Sequence, residues 1–442
     1  LNLSKDKILV YDHHKSHAAY GIYTSPLFRK KSLLILTIDG GGDNTNATVS
    51  IVNDIGKVSE ISRSSNCNIG RIYRAMTLLL GMRPSDHEFK VMGLAAYCTE
   101  KHGYDSYKVF KDTLQVDGLE FSYKIKPKDH FFYFKDKLEN QRFDSIAYGL
   151  QRRTEELLCE WIKNCVQETG IRDIVISGGV AQNIKANKKI LEMDCVDSLY
   201  IPPGPGDESI SIGAAFLGNA EKNKSIKRYS FSPYCGSQYS DKFIENFLKK
   251  DLPDNWEFKR TNFIEVADLL SKGEIIARFS SEGMEFGARA LGNRSIIADP
   301  RRQDVIHYLN KLIKIRDFWM PFAPSVLEDR ANDYLVVQKK NISRYMAIGH
   351  SSKKLAEVDL PAGLHPFDKT SRPQIVCEKD NPQYYKLIKS FESITGVGAL
   401  LNTSFNIHGE AIVESPQDAI FTLKNSGIKY LFIGSFLVLK NE

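Results

Sequence analysis

The 442-residue sequence contains seven cysteines but no Cys-x-x-Cys pair. Scattered at positions 67, 98, 159, 165, 195, 235 and 377, they suit neither a structural zinc site nor a disulfide framework. No apolar run approaches the ~20 residues that a membrane-crossing helix needs. The N-terminus has no signal-peptide pattern, and internal repeats and low-complexity tracts are missing. These absences argue against membrane, secreted disulfide-rich and repeat classes, and the expectation is a cytoplasmic protein. A strong charge of one sign is missing as well. Lys and Arg number 60 against 54 Asp and Glu, a net charge of +6. Such an excess suits anionic substrates, but it is too diffuse to imply nucleic acid.

What is present is ordinary for a globular chain: 42% hydrophobic and 26% charged residues, with length for two domains. The first residue is Leu1, so the natural start is expected upstream. From residue 7 to about 220, short apolar strands alternate with amphipathic helices, the pattern of a twisted α/β sheet. Strands are predicted at Ile8–Tyr11, Leu33–Ile38, Ala47–Val52, Ile174–Ser177 and Ser198–Ile201. Helices are predicted at Arg71–Leu80, Asp144–Thr169 and from Glu208 to about Ala220. Residues 103–140, rich in aromatics and lysines, read as an insertion near an active-site edge or as a helical cap. Residues 226–257 read as a turn-rich connector. A second α/β unit follows, with a helix at Phe263–Leu270 and a strand at Glu274–Phe279.

Only ten histidines occur, and three fall within five residues: His13, His14 and His17, in Asp-His-His-Lys-Ser-His. A helix starting there places His13 and His17 on one face, as pairs of metal-ligating histidines require. Asp39 ends an apolar run, and Gly40, Gly41 and Gly42 allow a tight turn that brings amides toward a phosphate. Taken separately, each feature is commonly a helix surface or a plain turn; their conjunction is what points to a site. Gly178 and Gly179, between a strand and a helix, form a further turn suited to nucleotide phosphate or sugar. Asp207 follows a Pro/Gly loop at the end of a strand, where ligands of open α/β sheets bind, although an aspartate there is as often a helix cap.

The second unit embeds arginines among glycines in Gly-Met-Glu-Phe-Gly-Ala-Arg-Ala-Leu-Gly-Asn-Arg-Ser (283–295). Lys314, Arg372-Pro-Gln and Asn-Thr-Ser-Phe-Asn (402–406) add donors. Bidentate Arg contacts, the Lys314 point charge and the neutral donors Thr403, Ser404 and Asn406 suggest a cleft for a phosphorylated compound. For Arg301, Arg302 and Lys311 a surface salt-bridge network is at least as good a reading.

The chain resembles ATP-dependent O-carbamoyltransferases of the NodU/CmcH family. His-His-x-x-His-Ala, Thr-Ile-Asp-Gly, Lys90-Val-Met-Gly-Leu-Ala-Ala-Tyr97, Ser-Gly-Gly-Val-Ala, Arg-Ala-Leu-Gly-Asn-Arg-Ser, Met320-Pro-Phe-Ala-Pro-Ser325 and Asn-Thr-Ser-Phe-Asn occur in family order over essentially the whole chain. The resemblance implies an actin-like (ASKHA, threonylcarbamoyl-transferase-like) domain over 1–225, then the connector, then a YrdC-like α/β domain over 258–442. It further implies that His13, His17, Asp39 and Asp207 hold a divalent metal, Fe2+ foremost. Arg289, Lys314, Arg372 and Ser404 would act on carbamoyl phosphate and ATP, with Mg2+ accompanying ATP. Gly40, Gly41, Asn44, Lys90, Gly178, Gly179, Asn183, Arg294, Thr403 and Asn406 would line nucleotide sites. His14 would be a partner of the metal ligands or a local base.

The implied reaction forms carbamoyl adenylate and passes the carbamoyl group to the hydroxyl of a small-molecule or sugar acceptor. Neither nucleic acid nor membrane is implied, and an oligomer is compatible with the reading. Family members also carry a further N-terminal lobe that nothing here matches, so adenylate formation without efficient transfer is the expectation for this chain alone. Three other readings have less support. A tRNA threonylcarbamoyl-type enzyme would need a basic RNA surface, and a sugar kinase leaves the histidines unexplained. A non-catalytic nucleotide- or metal-binding module is the third.

Overall fold

The structure is a computed structural model describing all residues except 1–3, 5–6, 67–68, 224–230, 315–316, 338, 340–342 and 442. It divides into two compact units, Leu1–Phe231 with Gln338–Asn341, and Ser232–Val337 with Ile342–Glu442. Both are α/β with a mixed sheet. No described helix is long and apolar enough to cross a membrane.

The first unit starts with α1 (His13–Thr24), followed by β1 (Leu33–Gly42), β2 (Thr45–Val52), β3 (Val58–Ser64), α2 (Ile69–Leu79), α3 (Glu88–Leu94) and α4 (Glu100–Lys111). A small hairpin, β4 (Leu114–Asp117) and β5 (Glu120–Tyr123), leads to α5 (His130–Lys137) and the 27-residue α6 (Phe143–Thr169). β6 (Asp173–Ser177), α7 (Ile184–Glu192), β7 (Ser198–Tyr200) and α8 (Ile210–Asn223) complete it. The sheet order is β3-β2-β1-β6-β7, antiparallel from β3 to β1 and parallel from β1 to β7. β1 is central, so its run Leu33–Ile38 is buried on both faces and reads as continuously apolar.

The predicted strand at Ile8–Tyr11 is absent. Both sides of β1 are already taken by β2 and β6, and Ile8, Leu9 and Val10 are exposed, Val10 by 89%. The connector prediction is corrected too. Within 226–257, residues Asp241–Asp251 form helix α9, which buries Ile244, Phe247 and Leu248 in the second unit's core, and residues 226–230 lie outside the described residues. Residues 103–140 comprise most of α4, the β4–β5 hairpin and α5; Trp161 Nε1 on α6 donates to Leu119 O in the hairpin at 2.8 Å.

The second unit's sheet has the order β12-β11-β13-β10-β9-β14-β15-β8. These strands are β8 (Glu257–Arg260), β9 (Ile276–Phe279), β10 (Arg294–Ala298), β11 (Ala323–Leu327), β12 (Gln374–Val376), β13 (Ala399–Ser404), β14 (Tyr430–Ile433) and β15 (Phe436–Leu439). Successive residues enter opposite cores: Ala277, Ile296 and Leu401 join one cluster, Ile276, Ile297 and Leu400 the other. The alternation of side chains along a strand therefore fills two layers. Helix α10 (Phe263–Ser271) covers the second face through Val266, Ala267 and Leu270.

Candidate functional site

In the first unit the candidate site grows from the start of α1. Asp12 caps the helix by accepting from Lys15 N at 2.8 Å, and Asp43 accepts from His13 N at 2.8 Å. Arg63 holds the Asp12 carboxylate at 3.0 Å; burial works to raise the Asp12 pKa, and the Arg63 hydrogen bond prevails and lowers it. With the first turn pinned, the i, i+4 spacing aims His13 and His17 at one point. Their Nε2 atoms lie 3.2 Å apart.

Asp39 arrives from the end of β1, where the ladder with β2 is irregular between Ile38 and Gly42. Its Oδ2 lies 3.4 Å from His13 Nε2 and 3.1 Å from His17 Nε2. Asp207, which opens the turn before α8 and is 69% exposed, places Oδ1 3.5 and 3.3 Å from the same nitrogens. One donor atom from each of these four residues lies within 4.8 Å of all the others. Two nitrogens and two carboxylates face one point, and a cation there would meet all four donor atoms at once. Ligands at 2.0–2.2 Å in a tetrahedron lie about 3.3–3.6 Å apart, close to the observed separations. The donor set therefore fits a divalent ion, and hard and borderline metals both accept such donors.

The same proximity sets the titration of the cluster. Burial works to raise the Asp39 pKa, but hydrogen bonds from His13 and His17 overcome it and hold the carboxyl far below the usual range. Burial disfavours the His17 imidazolium, yet bonds to Asp207 and Asp39 outweigh it and raise the His17 pKa. His17 Nδ1 is buried with no partner among the described residues. A metal bound at Nε2 leaves the proton there, at a cost on the order of 1–3 kcal/mol.

Close packing makes room for this arrangement. A Cβ on Gly42 would lie 2.3 Å from the His13 ring. Gly178, at φ +100°, would bring a Cβ to 2.2 Å from Ile38 O, and its N–H donates to Pro205 O at 2.7 Å. This residue thus ties β6, β1 and the Asp207 loop together. Gly179 lies against Asp39, whose Oδ1 also accepts from Gly40 N.

Several expected roles change. His14, expected as a ligand partner or base, is fully buried and faces the sheet. Its Nε2 donates to Thr45 O at 3.0 Å, and its Nδ1 accepts from Thr37 Oγ1 at 2.7 Å. Burial lowers its pKa to about 4, so it is a neutral brace without a spare nitrogen. Asn44, expected at a nucleotide, is an exposed residue of the two-residue β1–β2 turn; Asp43 and Asn44 have φ of 49° and 59°, as a type I′ hairpin requires. Asn183 caps α7 and exchanges two hydrogen bonds with Gln151, which leaves little of it for a ligand. Lys90 is half-buried on α3. Asp12, Asp43, Arg63 and Thr37 were not singled out from the sequence. Asp12 had a signal there, an Asp directly before a helix start, whereas Arg63 comes from β3 and had none.

In the second unit Lys314 is 3% exposed, and its Nζ donates to Ser404 Oγ (3.2 Å), Asn406 Oδ1 (2.6 Å) and Asn406 O (3.1 Å). The Lys314 and Asn-Thr-Ser-Phe-Asn motifs therefore meet, with Thr403 beside Ser404 on β13. Asn402 Nδ2 donates to Ala290 O (3.1 Å), and Gln374 Nε2 to Leu291 O (2.8 Å), while Gln374 Oε1 accepts from Asn402 (3.2 Å). Arg289, Arg372 and Ser404 each lie within two residues of this buried knot, which ties their three segments together. Both arginines are half-buried.

Arg294 does not match the expectation of a ligand contact. Fully buried, it stacks on Phe279 and donates to Ser280 O (2.9 Å), Asn293 O (3.0 Å) and Ser237 O (3.1 Å); burial lowers its pKa to about 10. Arg301 and Arg302 pair with Asp299 and Asp304, as the salt-bridge reading anticipated. Arg316, two residues beyond Lys314, lies outside the described residues.

Comparisons with known proteins accord with both halves. Residues 2–216 match the model of a carbamoyltransferase N-terminus, and residues 267–440 that of a carbamoyltransferase C-terminus. An uncharacterized protein of Methanocaldococcus jannaschii is 36% identical over 98% of this chain and 74% of its own length. Nodulation protein NolO of Bradyrhizobium diazoefficiens is 28% identical over 97% of this chain and 79% of its own. Nodulation protein U of Sinorhizobium fredii is 31% identical over 60% of this chain and 46% of its own.

Proposed function

The chain belongs to the carbamoyltransferase family of NolO and NodU, and on that premise we propose that it is an O-carbamoyltransferase with two linked sites. At the Lys314–Ser404–Asn406 cluster, carbamoyl phosphate loses its phosphoryl group to water. The carbamate oxygen then attacks the α-phosphorus of ATP, the bond from that phosphorus to the β-phosphate oxygen breaks, and pyrophosphate leaves to give carbamoyl adenylate. Lys314, Arg289 and Arg372 balance the phosphoryl charge that moves in both steps, and Ser404 and Thr403 donate to phosphate oxygens. Mg2+ accompanies ATP.

In the first unit an acceptor hydroxyl attacks the carbamoyl carbon, the bond from that carbon to the adenylate phosphate oxygen breaks, and AMP leaves while the hydroxyl proton passes to solvent. His13, His17, Asp39 and Asp207 would hold a divalent ion, Fe2+ by family resemblance, and that ion would supply charge to polarise the leaving adenylate or to lower the pKa of the acceptor hydroxyl. Asp39 and Asp207 balance the ion's charge, and His13 and His17 donate neutral nitrogens. The backbone at Gly40–Gly42 and Gly178–Gly179 positions the nucleotide. The acceptor is a small molecule or sugar. The order β3-β2-β1-β6-β7 supports an actin-like first unit, and the two-faced mixed sheet supports a YrdC-like second unit.

The observation that carries this reading is the convergence of His13, His17, Asp39 and Asp207 at the end of β1. ATP–pyrophosphate exchange, with and without carbamoyl phosphate, tests the first step, and metal analysis of chelator-free protein tests the second site. Exchange dependent on carbamoyl phosphate together with one bound metal per chain is expected. An ATP-binding protein without such exchange refutes the reading.

A further inference from the structure

Helix α2 begins directly on the candidate metal site. A Cβ on Gly70 would lie 3.1 Å from both N and Cα of Gly40, the residue after Asp39. One residue later, Arg71 Nε donates to Gly40 O at 2.7 Å. This bond spends Nε and orients the guanidinium along the glycine turn, with one terminal nitrogen 3.0 Å from where a Gly41 Cβ would stand. Arg71 is exposed, and among the described residues it pairs with no carboxylate. Its terminal donors are thus held beside the site and spent on no acid.

Charge gives them a purpose. Asp39 and Asp207 carry two negative charges, which neutralise one divalent ion. A nucleotide phosphate reaching the same place adds negative charge that these four ligands leave uncompensated. A guanidinium matches phosphate with paired donors and stays charged at any working pH.

We infer that Arg71 contacts the nucleotide phosphate at the transfer site, an assignment that rests on the reading of that site given above. Asn46 Nδ2 also donates to Gly40 O, at 3.2 Å, so removing Arg71 leaves that carbonyl partnered and the turn intact. Arg71→Ala therefore separates a ligand contact from a structural one.

The test uses the full chain loaded with one equivalent of Mn2+ and titrated with AMP, reading the paramagnetic relaxation of the AMP phosphorus. That signal reports only nucleotide next to the metal, and Asp39→Asn provides the blank. Arg71→Ala is expected to weaken AMP roughly 10- to 100-fold at unchanged Mn2+ stoichiometry, with Arg71→Lys intermediate. Equal AMP affinity in Arg71→Ala overturns the assignment of Arg71 and leaves the transfer-site reading standing. Loss of Mn2+ from Arg71→Ala also overturns it, by making the residue structural. Bound Mn2+ that fails to relax AMP phosphorus in the unsubstituted chain overturns the transfer-site reading, and Arg71 with it.

Discussion

His13 and His17 hold their Nε2 atoms 3.2 Å apart, a separation that suits either a shared proton or two ligands of one cation. Asp39 and Asp207 stand 3.1–3.5 Å from the same two nitrogens. His13→Ala and His17→Ala should each weaken metal binding by at least about 100-fold and abolish whatever acceptor carbamoylation the unsubstituted chain supports. Carbamoyl-phosphate-dependent pyrophosphate exchange should be unchanged, because it is assigned to the other unit. Metal titration beside the exchange assay checks this, and a parallel fall in both would sink the two-site division.

Gly42 has a comparable effect at one remove. An alanine there would put its methyl 2.3–2.6 Å from three atoms of the His13 ring, so the ring must turn. Gly42→Ala should cost about 1–3 kcal/mol of stability by overpacking and reduce metal affinity as well. Urea unfolding and metal titration measure the two effects, and retention of full metal affinity would show that the His13 position is not set by this contact.

The acid response of the fold should report His14. Its pKa falls from the ordinary 6.5 to about 4 in the folded chain, mainly through burial, so below pH 6.5 the unfolded state binds the proton more readily. Stability from this residue is intact above pH 6.5 and declines as pH falls toward 4, by about 3 kcal/mol in total. His17 has the opposite sign, because its raised folded pKa adds stability that is lost as pH rises through it. Comparing urea midpoints of metal-free wild type and His14→Gln at pH 7 and pH 4.5 cancels the His17 contribution. The wild type should lose more stability on acidification; equal losses would remove His14 as the cause.

Lys314 offers a test confined to the second unit. Replacing its buried amine by Met keeps the stem volume and removes the donors to Ser404 and Asn406. Pyrophosphate exchange should fall roughly 100- to 1000-fold, with metal binding in the first unit untouched. Lys314→Arg should not rescue it, since a guanidinium is bulkier than the enclosed ammonium. Unaltered exchange would place the adenylate chemistry elsewhere.

Local pattern carried much of the fold. The run Leu33–Ile38, the long helix over 143–169 and the turn at Gly178 follow from periodicity and glycine placement, and α1 begins at His13 as its histidine spacing predicts. Pattern failed where a partner was needed: Ile8–Tyr11 has a strand's composition but meets no free sheet edge, and 241–251 looked like a connector until its apolar face met the core.

The amino-acid sequence by itself determined that His13 and His17 share a helix face, that Asp39 ends a buried strand and that Lys314, Ser404 and Asn406 carry polar hydrogen-bonding groups. These are short-range facts, set by helical rise and side-chain chemistry. Only the tertiary structure decided that Asp207, 168 positions beyond Asp39, closes the four-donor set, and that His14 and Arg294 turn inward while Arg71 stands at the turn. Those outcomes depend on which elements pack together, a matter of burial and excluded volume that no spacing along the chain expresses.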